Sequence, residues 1–135
     1  MKLITRDTDY SIRALVYIAR NKDRIIPITE LVKELGTPKP FLRKILQLLS
    51  TSGVLKSYKG KNGGFELAKK PEQIYLINLM EIFQGKFRLS ECLFKKKICP
   101  NQISCKLRAQ LDSLEELVEN KIKEITLASL LNLDS

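Results

Sequence analysis

Hydrophobic residues recur at helical spacing through the first half of the chain. Between Asp9 and Arg20 they stand at positions i, i+3, i+4 and i+7, which is the pattern of an amphipathic helix packed on a core. A connector at Asp23 to Pro27 leads to a second predicted helix, from about Ile28 to Leu35, and Gly36 is placed to cap its C-terminus. The first half of the chain is therefore predicted to be helical.

The sequence Thr37-Pro38-Lys39-Pro40 predicts the start of a third helix. Thr37 suits the N-cap, and Pro38 suits the first helical position because its missing N–H would have no partner there. Pro40 still falls in the first turn, so it removes no helical hydrogen bond. The helix is predicted to run to about Ser52, which makes a helix-turn-helix with its predecessor.

After Gly53 the spacing of apolar residues changes from helical to alternating. Residues 54–59 predict one strand, Lys61 to Gly64 a turn, and Phe65 and Leu67 the core side of a returning strand. A helix-turn-helix followed by such a hairpin is the winged-helix plan. A further helix is predicted from roughly Ile77 to Phe83.

The apolar pattern returns near the C-terminus. From Leu107, hydrophobic residues step by four, three and four, and they continue to Ile125. This seam could be core packing or a coiled-coil-like dimer contact; we favour a homodimer, because the small winged domain offers little surface to cover it. The tail, residues 126–135, is expected to pack back on the core.

The predicted fold is therefore mainly α with a small β-hairpin wing. Three parts are expected: a winged helix-turn-helix domain at residues 1–85, a cysteine-bearing segment at 86–106, and a long dimerisation helix with a tail at 107–135.

Positive charge is concentrated on two of these elements. The 135-residue chain has 24 Lys and Arg against 15 Asp and Glu, a net charge of +9, which favours a polyanionic partner. No acid lies between Glu34 and Glu66, where the third helix and the hairpin fall. Double-stranded DNA is the expected partner, although a solvated face that keeps the protein soluble is the alternative. The candidate DNA-contacting residues are Thr37, Pro38, Lys39, Pro40, Arg43, Lys44, Lys59 and Lys61.

Other function classes are disfavoured by what the chain lacks. It has no histidine and three cysteines, so Ser-His or Cys-His catalytic machinery cannot be built, and we expect no enzyme. No apolar run is long enough to span a membrane, and the N-terminus lacks a signal-peptide pattern. We expect a cytoplasmic protein without a membrane partner.

The three cysteines, Cys92, Cys99 and Cys105, lie within 14 residues, with gaps of six and five. Thiolates select zinc, copper(I) or iron–sulfur clusters. Zinc usually takes tighter gaps and four protein ligands, so it fits poorly. An iron–sulfur cluster is favoured over redox-active thiols, zinc and inert cysteines, and all four stay open on spacing alone.

Over nearly its full length the chain resembles the IscR/NsrR-type winged-helix iron–sulfur transcription regulators of bacteria. The resemblance rests on MKLITRDTDYSIRAL, on ITELVKELG and PFLRKILQLLSTSGVLKSYKGKNGGFELAK, on the cysteine segment, and on ITLASLL. It implies a homodimer that binds a pseudo-palindromic operator, with the recognition helix at Pro38 to Lys44 and Lys59 at a base-contacting wing position. Among these residues Arg43 is the best base reader on its own chemistry, because its planar guanidinium can bind guanine O6 and N7.

The same resemblance implies a 2Fe-2S or 4Fe-4S cluster held by the three cysteines. The first cysteine gap is one residue longer than the family's usual five, and the histidine that some members supply is missing. In the nitric-oxide-sensing branch the fourth ligand is an aspartate of the partner's first helix, and Asp9 is its best match. Asp7 and Glu91 are further candidates, and a plain helix-terminal carboxylate is the alternative role of Asp9.

The expected function is therefore a DNA-binding repressor controlled by a cluster that senses nitric oxide, redox state or iron–sulfur status. One rival is a cluster-free winged-helix regulator that senses oxidants through its thiols or regulates sulfur metabolism. Another is a small iron–sulfur or zinc carrier whose basic face docks an acidic protein.

Overall fold

The computed structural model describes residues 3–87 and 106–132. Its helices and strands are α1 (Arg6–Arg20), α2 (Ile28–Leu35), α3 (Lys39–Thr51), β1 (Leu55–Tyr58), β2 (Gly64–Leu67), a 3-10 turn (Pro71–Gln73), α4 (Leu76–Gln84), α5 (Lys106–Lys123) and α6 (Leu127–Asn132). The mainly helical fold with one antiparallel hairpin confirms the predicted winged-helix class. No helix in the described ranges has the length and apolar composition to cross a membrane.

Helix α1 begins at Arg6, three residues before the predicted start at Asp9. Thr5 is the N-cap, and its hydroxyl oxygen accepts a hydrogen bond from the Thr8 N–H. Asp7 and Asp9 then lie in the first turn, where negative charge is favoured by the helix dipole. Periodicity missed this turn because it carries polar residues and no apolar stripe.

Gln84, the last residue of α4, joins that first turn of α1 to the rest of the domain. Its side-chain oxygen accepts hydrogen bonds from the Thr5 N–H at 3.0 Å and from the Thr8 hydroxyl at 2.7 Å. Its side-chain nitrogen donates to the Leu3 carbonyl at 2.9 Å. One amide thus satisfies three polar groups near a helix start, where the backbone N–H groups have no helical partners.

The helix-turn-helix packs on α1. Helix α2 has the predicted bounds, and Gly36 ends it with a left-handed φ of 61°, as expected for a C-terminal glycine. Helix α3 buries one face against α1 and α2, and α1 contributes the centre of the core. The fully or almost fully buried core residues of α1 and α3 include Ala14, Leu15, Ile18, Leu42, Ile45, Leu46 and Leu49.

A three-residue polar cluster fixes the connection between α1 and α2. Arg24 donates two hydrogen bonds to the Glu30 carboxylate, at 2.8 and 2.5 Å, and the Tyr17 hydroxyl donates a further one. The bonds from Arg24, followed by that from Tyr17, lower the pKa of Glu30 from 4.5 to about 2. The bond to Glu30 also raises the pKa of Tyr17.

The Glu30 cluster predicts a specific acid sensitivity. Because the pKa of Glu30 is lower in the folded chain, its contribution to stability is full above about pH 4.5 and is lost as the pH falls towards 2. We expect Glu30→Gln to weaken the fold at neutral pH but to reduce the further loss on acidification. Urea unfolding midpoints at about pH 6 and about pH 3 would measure this. Glu72→Gln, at an exposed carboxylate on the 3-10 turn, is the control, and an equal loss on acidification in both variants would contradict the prediction.

The wing is a two-stranded antiparallel sheet in which Leu55 pairs with Leu67 and Tyr58 with Gly64. A third chain segment joins it, because Ile26 and Phe65 exchange two backbone hydrogen bonds of 2.9 Å. The segment that contains Ile26 was predicted only as a connector. Gly64 is required at this crossing, since a Cβ there would lie 2.4 Å from the Ile26 carbonyl oxygen.

The C-terminal helices divide the predicted apolar seam. Ile122 is buried against α4, with Val118 and Ile125 packed beside it. Toward the N-terminal end of α5, Leu107 and Leu114 are exposed, at 69% and 48%. Helix α6 confirms the expectation that the tail packs back, since Leu127 is buried in the core that α1 and α3 form.

Candidate DNA-binding surface and cysteine segment

The third helix starts one residue later than predicted. Its N-cap is Pro38, with extended backbone angles, and the N-cap assignment of Thr37 is wrong. A cap on Thr37 would need N–H donors at the next two or three positions, and Pro40 supplies none. Thr37 is instead 4% exposed, and its hydroxyl oxygen is buried without a hydrogen-bond partner within the described residues. The role of Thr37 in binding DNA stays a prediction. Its burial favours a structural role in the turn between α2 and α3.

The basic residues of α3 lie on its exposed side. Lys39, Arg43 and Lys44 are exposed, whereas the neighbouring Leu42 and Ile45 are buried. Pro38 and Pro40 are also exposed at the start of the helix. The face that the sequence assigned to DNA is therefore on the surface of the domain.

Gln47 is a further polar residue on this surface that was not predicted. It is exposed and lies one helical turn after Arg43. An amide side chain can hydrogen-bond both N6 and N7 of adenine in the major groove. The available signal was its i+4 spacing from Arg43, which charge counting overlooks because glutamine is neutral.

The wing carries the second group of cations. Lys59 and Lys61 are exposed in the tight turn between β1 and β2, which is closed by a hydrogen bond from the Gly63 N–H to the Gly60 carbonyl. A Cβ at Gly63 would lie 2.2 Å from the Tyr58 carbonyl oxygen, so only glycine fits this turn. The backbone thus holds both lysines at the tip.

The wing contains one acid, Glu66 in β2, and its carboxylate is already hydrogen-bonded. Glu66 accepts a hydrogen bond of 2.5 Å from the Tyr58 hydroxyl across the hairpin, which raises the pKa of Tyr58. Glu66 is partly buried in β2, where it pairs across the hairpin with Lys56. The exposed surface of α3 and the wing, here called the basic surface, therefore carries six cations without an acid between them in the sequence.

The proposed cluster ligands are only partly within the described residues. Cys92, Cys99, Cys105 and Glu91 lie outside them. Asp9 is on the surface of α1, with its side chain 47% exposed and 3.2 Å from the Arg13 guanidinium. Asp7 lies in the same turn and is half-buried. Residues 3–87 and 106–132 contain no group of three acidic or cysteine side chains that could hold a metal ion by itself.

Helix α5 presents an apolar surface with no covering element among the described residues. Leu117, absent from the predicted seam, is 68% exposed, and Leu114 lies three positions before it. Leu117 is five residues from the buried Ile122, which places it on the opposite side of the helix. Two apolar faces thus exist on α5, one against α4 and one open.

Comparison with known proteins gives a consistent result. Residues 4–133 match the Rrf2 family, described as an iron-dependent transcriptional regulator. An HTH-type transcriptional regulator of Aquifex aeolicus is 32% identical over 127 residues, which are 93% of this chain and 88% of that protein. The regulator NsrR of Bacillus licheniformis is 33% identical over 98 residues, 72% of this chain and 68% of that protein.

A solved structure has the same fold. CymR, the global cysteine regulator of B. subtilis, superimposes with a TM-score of 0.78 at 18% identity, and the match covers 98% of each chain. At that identity the likeness concerns the fold alone.

Proposed function

The chain belongs to the Rrf2 family of transcriptional regulators, and from that premise we propose that it is a homodimeric repressor whose affinity for DNA is set by an iron–sulfur cluster. The family membership confirms the resemblance to IscR/NsrR-type regulators. Nitric oxide, redox state or iron–sulfur status is the proposed signal.

The basic surface is the observation that carries the proposal of operator binding. Its cations lie on two elements that a winged helix presents together: the exposed side of α3 and the tip of the wing. A recognition helix inserts its N-terminal half into the major groove. Arg43 lies in that half, and its planar guanidinium can hydrogen-bond guanine O6 and N7.

The open face of α5 supports the homodimer. Exposed leucines on a helix lose their unfavourable contact with water when a second copy covers them, and full burial contributes about 1.5–3 kcal/mol each. A two-fold dimer would place two copies of α3 on two half-sites of a pseudo-palindromic operator.

The proposed ligands of the cluster are Cys92, Cys99 and Cys105 of one subunit together with Asp9 of the other. Three thiols and a carboxylate suit a cluster with one labile position, and the exposure of Asp9 leaves it accessible to a second subunit. When bound, the cluster would supply iron that reacts with nitric oxide or oxygen at the site of its weakest ligand.

Helix α1 could relate this ligand to DNA binding. Asp9 is next to Tyr10, and the Tyr10 ring contacts the Phe41 ring of α3 edge to face, with centroids 5.6 Å apart. A change in the position of Asp9 would thus act one residue from the support of the recognition helix. The signal can shift affinity only if the two states of α1 differ in their interaction with the ligand site.

Binding to duplex DNA across a salt series tests the proposal. Wild-type affinity should fall by about 0.9 log unit per tenfold rise in salt for each phosphate contacted. Arg43→Ala should weaken binding to a selected duplex by about 1–3 kcal/mol, roughly 5- to 150-fold, and relax the preference at one base pair. Lys123→Ala, at an exposed cation of α5 away from the face of Leu114 and Leu117, is the matched control. A flat salt response of the wild-type protein would refute operator binding.

A second candidate function keeps DNA binding and omits the cluster. The likeness to CymR supports it, because that protein has this fold and is named as a regulator of cysteine. In this alternative the three cysteines sense oxidants directly or the chain regulates sulfur metabolism. Iron content after anaerobic reconstitution distinguishes the two.

A further inference from the structure

The first turn of α1 carries an arginine that lies directly beside the recognition helix. The Arg6 guanidinium carbon is 4.6 Å from the centroid of the Phe41 ring and 5.7 Å from that of Tyr10. Phe41 belongs to the first turn of α3, between Pro40 and Leu42. A cation held by two rings within such distances is attracted by both ring faces.

Arg6 differs from the other arginines near this site in its partners. Arg13 also lies over the Tyr10 ring, at 5.6 Å from its centroid, but it hydrogen-bonds Asp9, and Arg24 hydrogen-bonds Glu30. Within residues 3–87 and 106–132, the contacts of Arg6 are those with the two rings. Since a ring contact does not use its N–H groups in conventional hydrogen bonds, Arg6 keeps donors for an anion.

The nearby carboxylates do not neutralise Arg6. Asp9 is bound by Arg13 at 3.2 Å. Asp7 follows Arg6 directly, and adjacent residues on a helix point in different directions. Arg6 is therefore an exposed, positively charged group at the edge of the basic surface.

The position of Phe41 indicates which part of DNA Arg6 would meet. If the N-terminal half of α3 enters the major groove, the groups flanking that half face the sugar-phosphate backbone. Arg6 is held at this flank by α1, which is a different element from the helix that reads bases. Phosphate, rather than a base edge, is the matching ligand chemistry.

We infer that Arg6 binds a DNA phosphate beside the recognition helix and that Phe41 and Tyr10 hold its guanidinium in place for this contact. The inference rests on the proposed function, since it requires that α3 binds DNA. It extends the DNA-binding surface from α3 and the wing to α1, outside the acid-free segment that the sequence singled out. The same helix carries Asp9, so one helical turn would contain both a DNA contact and the proposed cluster ligand.

The test compares Arg6→Ala and Arg6→Lys with the control Lys123→Ala, an exposed cation of α5 away from the face of Leu114 and Leu117. Affinity is measured over a salt series for a random-sequence duplex and for a duplex selected by the wild-type protein from a random pool. One phosphate contact contributes about 0.9 to the slope of log affinity against log salt, or roughly eightfold at 0.1 M relative to 1 M salt. Arg6→Ala should lose this amount on both duplexes equally, and Arg6→Lys should retain most of the slope.

A further variant tests the part played by the ring. Phe41→Leu keeps the charge of Arg6 but removes the aromatic face, so it should weaken binding to both duplexes. Adding Arg6→Ala to Phe41→Leu should then reduce DNA affinity by less than Arg6→Ala does in the wild type. The thermal midpoint of each variant shows whether the fold is kept. Unchanged slope and affinity in Arg6→Ala, or a loss confined to the selected duplex, would overturn the inference. Failure of the wild-type protein to bind either duplex would instead refute the proposed function.

Discussion

Leu114→Glu combined with Leu117→Glu is expected to convert the proposed dimer into a monomer and to reduce operator affinity by at least about 100-fold, because avidity between two half-sites contributes about 10²–10⁴. Both leucines are exposed on the open face of α5, at 48% and 68%. Four glutamates brought together in a two-fold interface would repel one another and would remove the apolar area that joins the subunits.

Sedimentation and DNA titration would measure the two effects together. Because both leucines are exposed in the single subunit, the circular dichroism of the double variant should be unchanged. Gln73→Glu with Asn78→Glu adds the same two charges at exposed positions elsewhere and serves as the control. A double variant that stays dimeric would show that α5 joins the subunits through another face or not at all.

Loss of bound iron is the second large effect that we expect. Replacement of Cys92, Cys99 or Cys105 with Ala should reduce iron and sulfide after anaerobic reconstitution from stoichiometric amounts to background. Changes to residues that merely support metal ligands cost about 10- to 100-fold in metal affinity, and loss of a ligand itself should cost at least as much. Iron and sulfide analysis with the visible absorbance spectrum would measure it. A wild-type protein that takes up no iron would favour the cluster-free alternative.

The fourth ligand should give a smaller and different response. Asp9→Ala is expected to keep its iron without oxygen but to lose it faster in air, while the fold survives, since the exposed Asp9–Arg13 pair contributes only about 0–1 kcal/mol. Asp7→Ala, in the same turn, is the matched comparison. If Asp7→Ala alone accelerates iron loss, then the neighbouring carboxylate is the ligand; if neither does, the fourth ligand lies elsewhere.

Local patterns predicted those elements whose signals lie within a few residues. The bounds of α2 followed from its apolar stripe and from Gly36, and the hairpin followed from alternation and from the glycines in its turn. The exposed position of Arg43 and Lys44 followed from the buried leucines on the other side of α3. These features depend on periodicity, which a single sequence contains in full.

Features that depend on distant contacts could not be predicted in the same way. The bridge of Ile26 to Phe65 joins residues with no shared motif, and the 3-10 turn at Pro71–Gln73 has no apolar period. The apolar seam of α5 was predicted as one face, yet its two halves face different surroundings because only its C-terminal half reaches α4.

The candidate site likewise combines features that local sequence predicts with features that depend on distant contacts. Its lysines were found because charge is visible in the sequence, whereas Arg6 was not, because its importance comes from a ring 35 positions later. Thr37 was assigned as a cap from residue type, but the prolines around it left too few donors for that role.

The hydrogen bonds of Gln84 allow local opening of α4 to be followed by hydrogen exchange at one backbone amide. The Thr5 amide has no helical acceptor, so its protection from exchange with solvent depends on a side chain 79 positions away. Opening of the C-terminal end of α4 would therefore expose the Thr5 amide near the N-terminus. The Thr5 amide and the backbone amides at the end of α4 would then exchange as one cooperative unit. Exchange at the Thr5 amide would therefore report on the opening of α4, the helix that precedes the cysteine-bearing segment in the sequence.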